Sequence, residues 1–175
     1  VIQLLKTYRI RLESLMDDEN LTYAQLFKNN GEQSGASLAH PHTQIIATAF
    51  IPHMLKQELR GSKWYYEAHS CCVFCSMIDS EREERERFVY ENDLFVSFCP
   101  YASRFPYEVW LVPKTHNADY TRIQPAETAA LADCLKVTLK KLVAVLGDPQ
   151  YNYLLHTAPY LKPPGGFFGE LRDYY

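Results

Sequence analysis

Several things this chain lacks narrow what it can be. No apolar run approaches the ~20 residues that span a bilayer as a helix, and no basic segment followed by an apolar one opens the sequence as a secretory leader would. There is no basic excess. Of 175 residues, 18 are Lys or Arg against 21 Asp or Glu, a net charge of -3, so the clustered positive face of a duplex-DNA binder is not expected. Five cysteines are an odd count, and three of them crowd into "HSCCVFC" (69–75), poor material for a secreted disulfide framework and better material for a metal site. These absences point to a cytoplasmic, reducing setting, with no nucleic acid and no membrane as partner.

What is present is enough for a core. Apolar residues make up 47% of the chain and aromatic residues 14%, with 13 tyrosines, a composition suited to sheets and to pockets that stack on flat ligands. Residues 1–17 place Ile2, Leu5, Tyr8, Leu12 and Leu15 at helical spacing. "LTYAQLFKN" then reads as a strand, "NGEQSGAS" as a loop and "TQIIATAFIP" as a second strand. Residues 53–68 read as a helix, "SCCVFCS" as a compact turn, and "SEREERER" as a solvated charged surface. "RFVYEND", "LFVSFCPYAS" and "FPYEVWLVPKTH" read as three strands. Residues 125–146 form the clearest helix, with Pro125 and Glu127 in its first turn and Gly147 at its end, and "QYNYLLHTAP" reads as a strand after it. Helix, strand and glycine-bearing loop thus occur twice, once before "HPHTQ" and once at the end of the chain. Val1 falls inside a helical pattern and the second copy stops at its loop, so the chain reads as the back of one unit joined to the front of a similar one.

The chemistry concentrates in "GASLAHPHTQ" (35–44). Strand alternation puts His40, His42 and Gln44 on one face, and Pro41 stiffens the backbone between the histidines. Gly31, Gly35 and Ser37 precede them: glycines let backbone N–H groups approach an anion, and a serine adds a donor. An imidazole beside such a cradle can attack phosphorus and form a covalent phospho-histidine. Cys72 and Cys75 form a Cys-x-x-Cys pair, and with His116, beyond the strand in "VPKTH", they supply three legs of a tetrahedral zinc site. Cys71 has no evident role, Cys99 and Cys134 suit packing, and His53 and His69 suit the surface.

The stretch "FKNNGEQSGASLAHPHTQIIATAFIP" resembles the signature of the galactose-1-phosphate uridylyltransferase family of the histidine-triad superfamily, matching at Asn29, Gly31, Gly35, Ser37, His40, Pro41, His42, Gln44 and Pro52. "CVFC", "LFVSFCPYASRFPYEVWLVPKTH" and "YNYLLHTAP" resemble that family's second domain. The resemblance implies an α+β fold of antiparallel sheets flanked by helices, in two related histidine-triad-like units. Residues 1–60 would be the end of the first, and residues 61–175 the second without its last strand. It implies that His42 is the nucleophile, with its other ring nitrogen held by a backbone carbonyl. Gln44 and Ser37 would contact the phosphoryl oxygens, and Asn29 and Gly35 the nucleotide-sugar phosphates. His40 would be a zinc ligand whose partners lie before Val1. Hydrolases of the superfamily carry a third histidine where this chain has Gln44, and the glutamine marks transferases. A rival metal site, implied by other members of the family, would use Glu58 and His156. The implied reaction moves a nucleotidyl group from a nucleotide sugar to a sugar 1-phosphate, in a homodimer containing zinc. An adenine-nucleotide phosphorylase, adenylyltransferase or hydrolase of the same superfamily, and a non-catalytic zinc-stabilised assembly domain, remain open alternatives.

Overall fold

A computed structural model describes residues 1–36, 40 and 42–160. In chain order it contains α1 (Ile2–Met16), β1 (Tyr23–Asn30), β2 (His42–Thr48), α2 (His53–His69), α3 (Val73–Glu84), β3 (Phe88–Glu91), β4 (Phe95–Phe98), β5 (Trp110–Pro113), α4 (Pro125–Leu146) and β6 (Tyr151–Leu155). Two three-stranded antiparallel sheets form, in the orders β2-β1-β6 and β3-β4-β5. The expected α+β arrangement of antiparallel sheets flanked by helices is what the chain adopts.

α4 ties the sheets together. Its start is fixed by a capping box, in which the Gln124 backbone N–H donates to Glu127 at 2.7 Å, and Pro125 follows the cap. One side of α4 sets Ala132 against Leu5 and Tyr8 of α1 and Leu26 of β1. Another sets Cys134 against Phe95 and Ile123, and Thr138 donates to Ser97 in the buried interior at 3.1 Å. The opposite face of β4, Val96 and Phe98, packs on Ile78 of α3. β4 is therefore covered on both faces, and all four of its residues are buried. Cys134 is fully buried, as a packing residue should be, and His53 and His69 are exposed.

The first sheet is covered unequally. α1 lies across the face of Leu26, Ile45 and Leu155. On the other face α2 covers only one end, where Tyr23, Ile51, Leu55 and Leu59 cluster. Phe27, Asn29, His42, Gln44, Asn152 and Leu154 share the remainder of that face, and Leu154 is 61% exposed. Residue 60, the expected divide between units, falls inside α2, and β6 from the far end of the chain pairs with β1.

Three expectations need correction. "SCCVFCS" is only partly a turn, because α3 begins at Val73 and carries Cys75. The run "SEREERER" is not wholly solvated: Glu81 is 5% exposed and pairs with Arg87, whose Nε–H is shared between its two carboxylate oxygens at 2.8 and 3.0 Å. The strands are shorter than their apolar runs, since Pro100 ends the ladder after β4 and residues 101–109 loop outward before β5.

Candidate functional site

The β1–β2 ladder sets the site out. Its register pairs Asn29 with His42 and Phe27 with Gln44, and β6 adds Asn152 beside Asn29. Directly paired residues share a face, so two polar carboxamides and the His42 imidazole stand in one row. His42 is the first residue of β2, and His40 lies before the strand, with its ring centroid 6.4 Å from that of His42. His42 Nδ1 is 3.2 Å from the His40 carbonyl oxygen. A carbonyl can only accept, so this contact places the ring proton on Nδ1 and leaves the Nε2 lone pair available. The Gln44 amide nitrogen lies 3.4 Å from that Nε2. The unprotonated Nε2 of His42 and the Gln44 amide therefore face each other at the start of β2.

The loop ahead of them is built by its glycines. Gly31 adopts φ 94, ψ 152, a region open almost only to glycine, and Gly35 is left-handed at φ 82. Between them a short 3₁₀ turn, Glu32–Ser34, closes with Ser34 Oγ donating to the Gly31 carbonyl at 2.7 Å. The Asn29 side-chain NH₂ donates to the Gly35 carbonyl at 3.1 Å. Gln150, just ahead of β6, accepts from the Gln33 backbone N–H, and a Cβ on Gly31 would meet its side chain at 2.5 Å. Gly31→Ala is expected to cost about 1–3 kcal/mol, because it forces an unfavourable backbone and displaces Gln150. Denaturant unfolding of the variant against the wild type measures this. Ser37 and Pro41 lie outside the described residues.

A second group forms at the start of α3. Cys72 is the residue before the helix and Cys75 lies in its first turn, a spacing that turns both thiols to one side. His116 arrives from the segment after β5. Lys114 pins that segment through its backbone N–H to the Leu94 carbonyl at 2.9 Å and its ammonium to Glu91 at 2.5 Å. The Lys114 contact, helped by Arg82, holds the Glu91 carboxyl below its usual range. Ligand atoms of Cys72, Cys75 and His116 all lie within 4.8 Å of one another, and Cys75 Sγ is 3.3 Å from His116 Nδ1. Burial, then the neighbouring Cys72, pushes the Cys75 thiol up to about 11. A thiol held back from ionisation, beside a second cysteine and an imidazole, suits a cation that would stabilise its thiolate. Cys71 points elsewhere, with its sulfur 3.2 Å from Ser76 Oγ.

Glu58 and His156 also meet, at 2.8 Å between Oε1 and Nε2. They supply two donors. Among the described residues, only Cys72, Cys75 and His116 bring three such donors together, and His40 joins no group of that kind. Gln150 and Asn152 were not legible as site residues. Alternation could put Asn152 on a strand face, but nothing local says that β6 joins β1.

With this geometry in place, the chain can be set beside known proteins. Residues 24–162 match the family "Galactose-1-phosphate uridyl transferase, C-terminal domain". ADP-glucose phosphorylase of Arabidopsis thaliana is 33% identical over 156 residues, covering 89% of this chain and 43% of that protein. Galactose-1-phosphate uridylyltransferase of Thermotoga maritima is 34% identical over 145 residues, covering 83% and 45%. Among solved structures, the Arabidopsis ADP-glucose phosphorylase with bound ADP-glucose superposes with a TM-score of 0.87 at 29% identity, over 99% of this chain and 52% of that one. A uridylyltransferase structure gives 0.87 at 31% identity, over 99% and 52%. The chain spans about half the length of the relatives it matches. Over that span its sequence and its fold agree with theirs, and it belongs to the galactose-1-phosphate uridyl transferase family.

Proposed function

We propose that the protein transfers a nucleotidyl group through a covalent His42 intermediate, from a nucleotide sugar to a sugar 1-phosphate. The observation that carries this reading is the pairing of an Nδ1 tied to a carbonyl with an Nε2 facing the Gln44 amide. His42 Nε2 attacks the phosphorus nearest the nucleoside, and the bond from that phosphorus to the bridging oxygen breaks. A sugar 1-phosphate leaves with that oxygen. An incoming sugar 1-phosphate then attacks the nucleotidyl-histidine, forms a new P–O bond and releases the imidazole. Gln44, Ser37 and the amides near Gly35 would stabilise the phosphoryl oxygens, with Asn29 holding the loop in place.

The substrate we favour is UDP-glucose with a hexose 1-phosphate, a reaction of galactose metabolism, carried out in the cytoplasm by a homodimer. A second reading has a specific observation behind it. The similarity to ADP-glucose phosphorylase covers 89% of the chain, which supports adenylyl transfer from ADP-glucose to phosphate. Incubating the complete protein with UDP-glucose or ADP-glucose labelled in the nucleoside-proximal phosphate separates the two by which label the protein retains. Retention of neither supports the non-catalytic assembly domain instead. In this reading residues 1–60 complete one histidine-triad-like unit and residues 61–175 supply most of the second.

Cys72, Cys75 and His116 would hold zinc, whose bonds to the two thiolates and the imidazole would fasten α3 to the segment after β5. No helix among the described residues is long and apolar enough to cross a membrane.

Gln44→His is expected to move the fate of the intermediate from transfer toward hydrolysis, because an imidazole can relay a proton to or from water where an amide cannot. The ratio of transferred to hydrolysed product reads this directly, and an unchanged ratio would remove Gln44 as the discriminator.

A further inference from the structure

Thr43 stands between His42 and Gln44 in β2, so alternation turns its side chain to the opposite face of the sheet, toward α1. There its hydroxyl lies 2.6 Å from the Tyr8 hydroxyl, which in turn lies 2.8 Å from that of Tyr153 on β6. The register places Lys28 of β1 between Thr43 and Tyr153, so the three hydroxyls bridge the two outer strands across the central one. Tyr8 is 4% exposed and packs with Leu5, Leu26 and Ala132. Burial, then the Tyr8 hydroxyl, raises the Tyr153 phenol far above its ordinary range, so it stays protonated. Each hydroxyl has one proton to give and lone pairs to accept with, and a run of three is satisfied in either direction.

The packing around Tyr8 asks only for an aromatic ring, which phenylalanine would supply. The hydroxyl reaches β2 at a particular place. His42 is the first residue of the strand and Thr43 the second, where the ladder with β1 is ending. The two contacts that orient the imidazole, 3.2 Å to the His40 carbonyl and 3.4 Å to the Gln44 amide, are both near the long limit of hydrogen bonding. A small rotation of the strand end would lose them.

We propose that Tyr8 is a positioning residue for His42: its hydroxyl holds Thr43 from behind the sheet and so fixes how His42 and Gln44 face the substrate. The inference rests on the reading of His42 as the nucleophile. It also adds a link between units, since Tyr153 belongs to the far end of the chain and Tyr8 to its beginning.

The test uses the complete protein as wild type, Tyr8→Phe, Thr43→Val, the double variant and Thr43→Ser. Four quantities are read: the single-turnover rate at which UDP-glucose and ADP-glucose label the protein, the dependence of that rate on their concentration (KM), the melting temperature, and the ¹⁵N resonances of the His42 ring. Tyr8→Phe and Thr43→Val should each slow labelling about tenfold with KM changed less than about twofold. The double variant should be no slower than the slower single one, and Thr43→Ser should restore the wild-type rate. The ring resonances should move in Tyr8→Phe and Thr43→Val and stay in place in Thr43→Ser. Wild-type labelling and unmoved resonances in Tyr8→Phe and Thr43→Val would overturn the inference, as would slower labelling that follows a lowered melting temperature with the resonances unmoved. Should wild type take no label from either sugar nucleotide, the proposed reaction fails, and the His42 resonances still decide whether Tyr8 holds the ring.

Discussion

His42→Ala in the complete protein is expected to leave no retained nucleotidyl label and to lower the exchange rate by about 10⁴-fold or more, the scale of loss when a covalent nucleophile is removed. The residual rate would be what substrate binding and oriented donors supply alone. Folding should barely notice. His42 is partly exposed at the first residue of β2, and among the described residues its hydrogen bonds are to one backbone carbonyl and one side-chain amide, so a stability change within about 0.5 kcal/mol is expected. The pairing of those two results is the test. A dead enzyme with an unchanged melting temperature puts the chemistry on the imidazole. Near-normal exchange in the variant would end the covalent mechanism and favour direct transfer between two bound substrates.

The same residue shows what a sequence can carry. His42, Gln44 and the glycines of the loop sit within 14 positions, and their geometry is largely local: strand alternation, one positive-φ turn and a hairpin-like pairing of β1 with β2. α4 was legible from end to end because a proline, a glutamate and a glycine mark its limits. α2 and α3 have no such mark. They end at Ser70 and Arg85, each in the left-handed conformation without a glycine to announce it; the apolar spacing still put α2 at 53–68, within one residue of its end, whereas α3, starting at Val73 among the cysteines, was hidden. Glu81 looked like one more surface charge, and its burial depends on Arg87 folding back over it. The pairing of β6 with β1 lies further out of reach. It joins residues more than a hundred positions apart, and it is what brings Gln150 to the Gly31 loop and Tyr153 to Tyr8.

Replacing Cys72 and Cys75 together by serine should remove bound zinc from that site and destabilise the fold more than any surface change would. The site has no counterpart in the unfolded chain, so metal-binding free energy enters folding directly. Loss of a structural metal belongs with the largest single-site effects, about 4 kcal/mol or more. At about 2–4 °C per kcal/mol for a domain of this size, the melting temperature should fall by roughly 10 °C. The donor atoms make the argument specific. Zn–S bonds of about 2.3 Å in a tetrahedron need sulfurs roughly 4 Å apart, and the whole Cys72, Cys75 and His116 set already lies within 4.8 Å. The serines keep nearly the same volume, so lost packing contributes little, whereas a hydroxyl is a poor zinc ligand. Metal analysis of His42→Ala provides the contrast, because that variant should keep this zinc while losing the chemistry. Glu58→Gln provides the second contrast. Were the metal to survive in the cysteine double variant and depart in Glu58→Gln, the pair Glu58 and His156, 2.8 Å apart, would be the metal site instead.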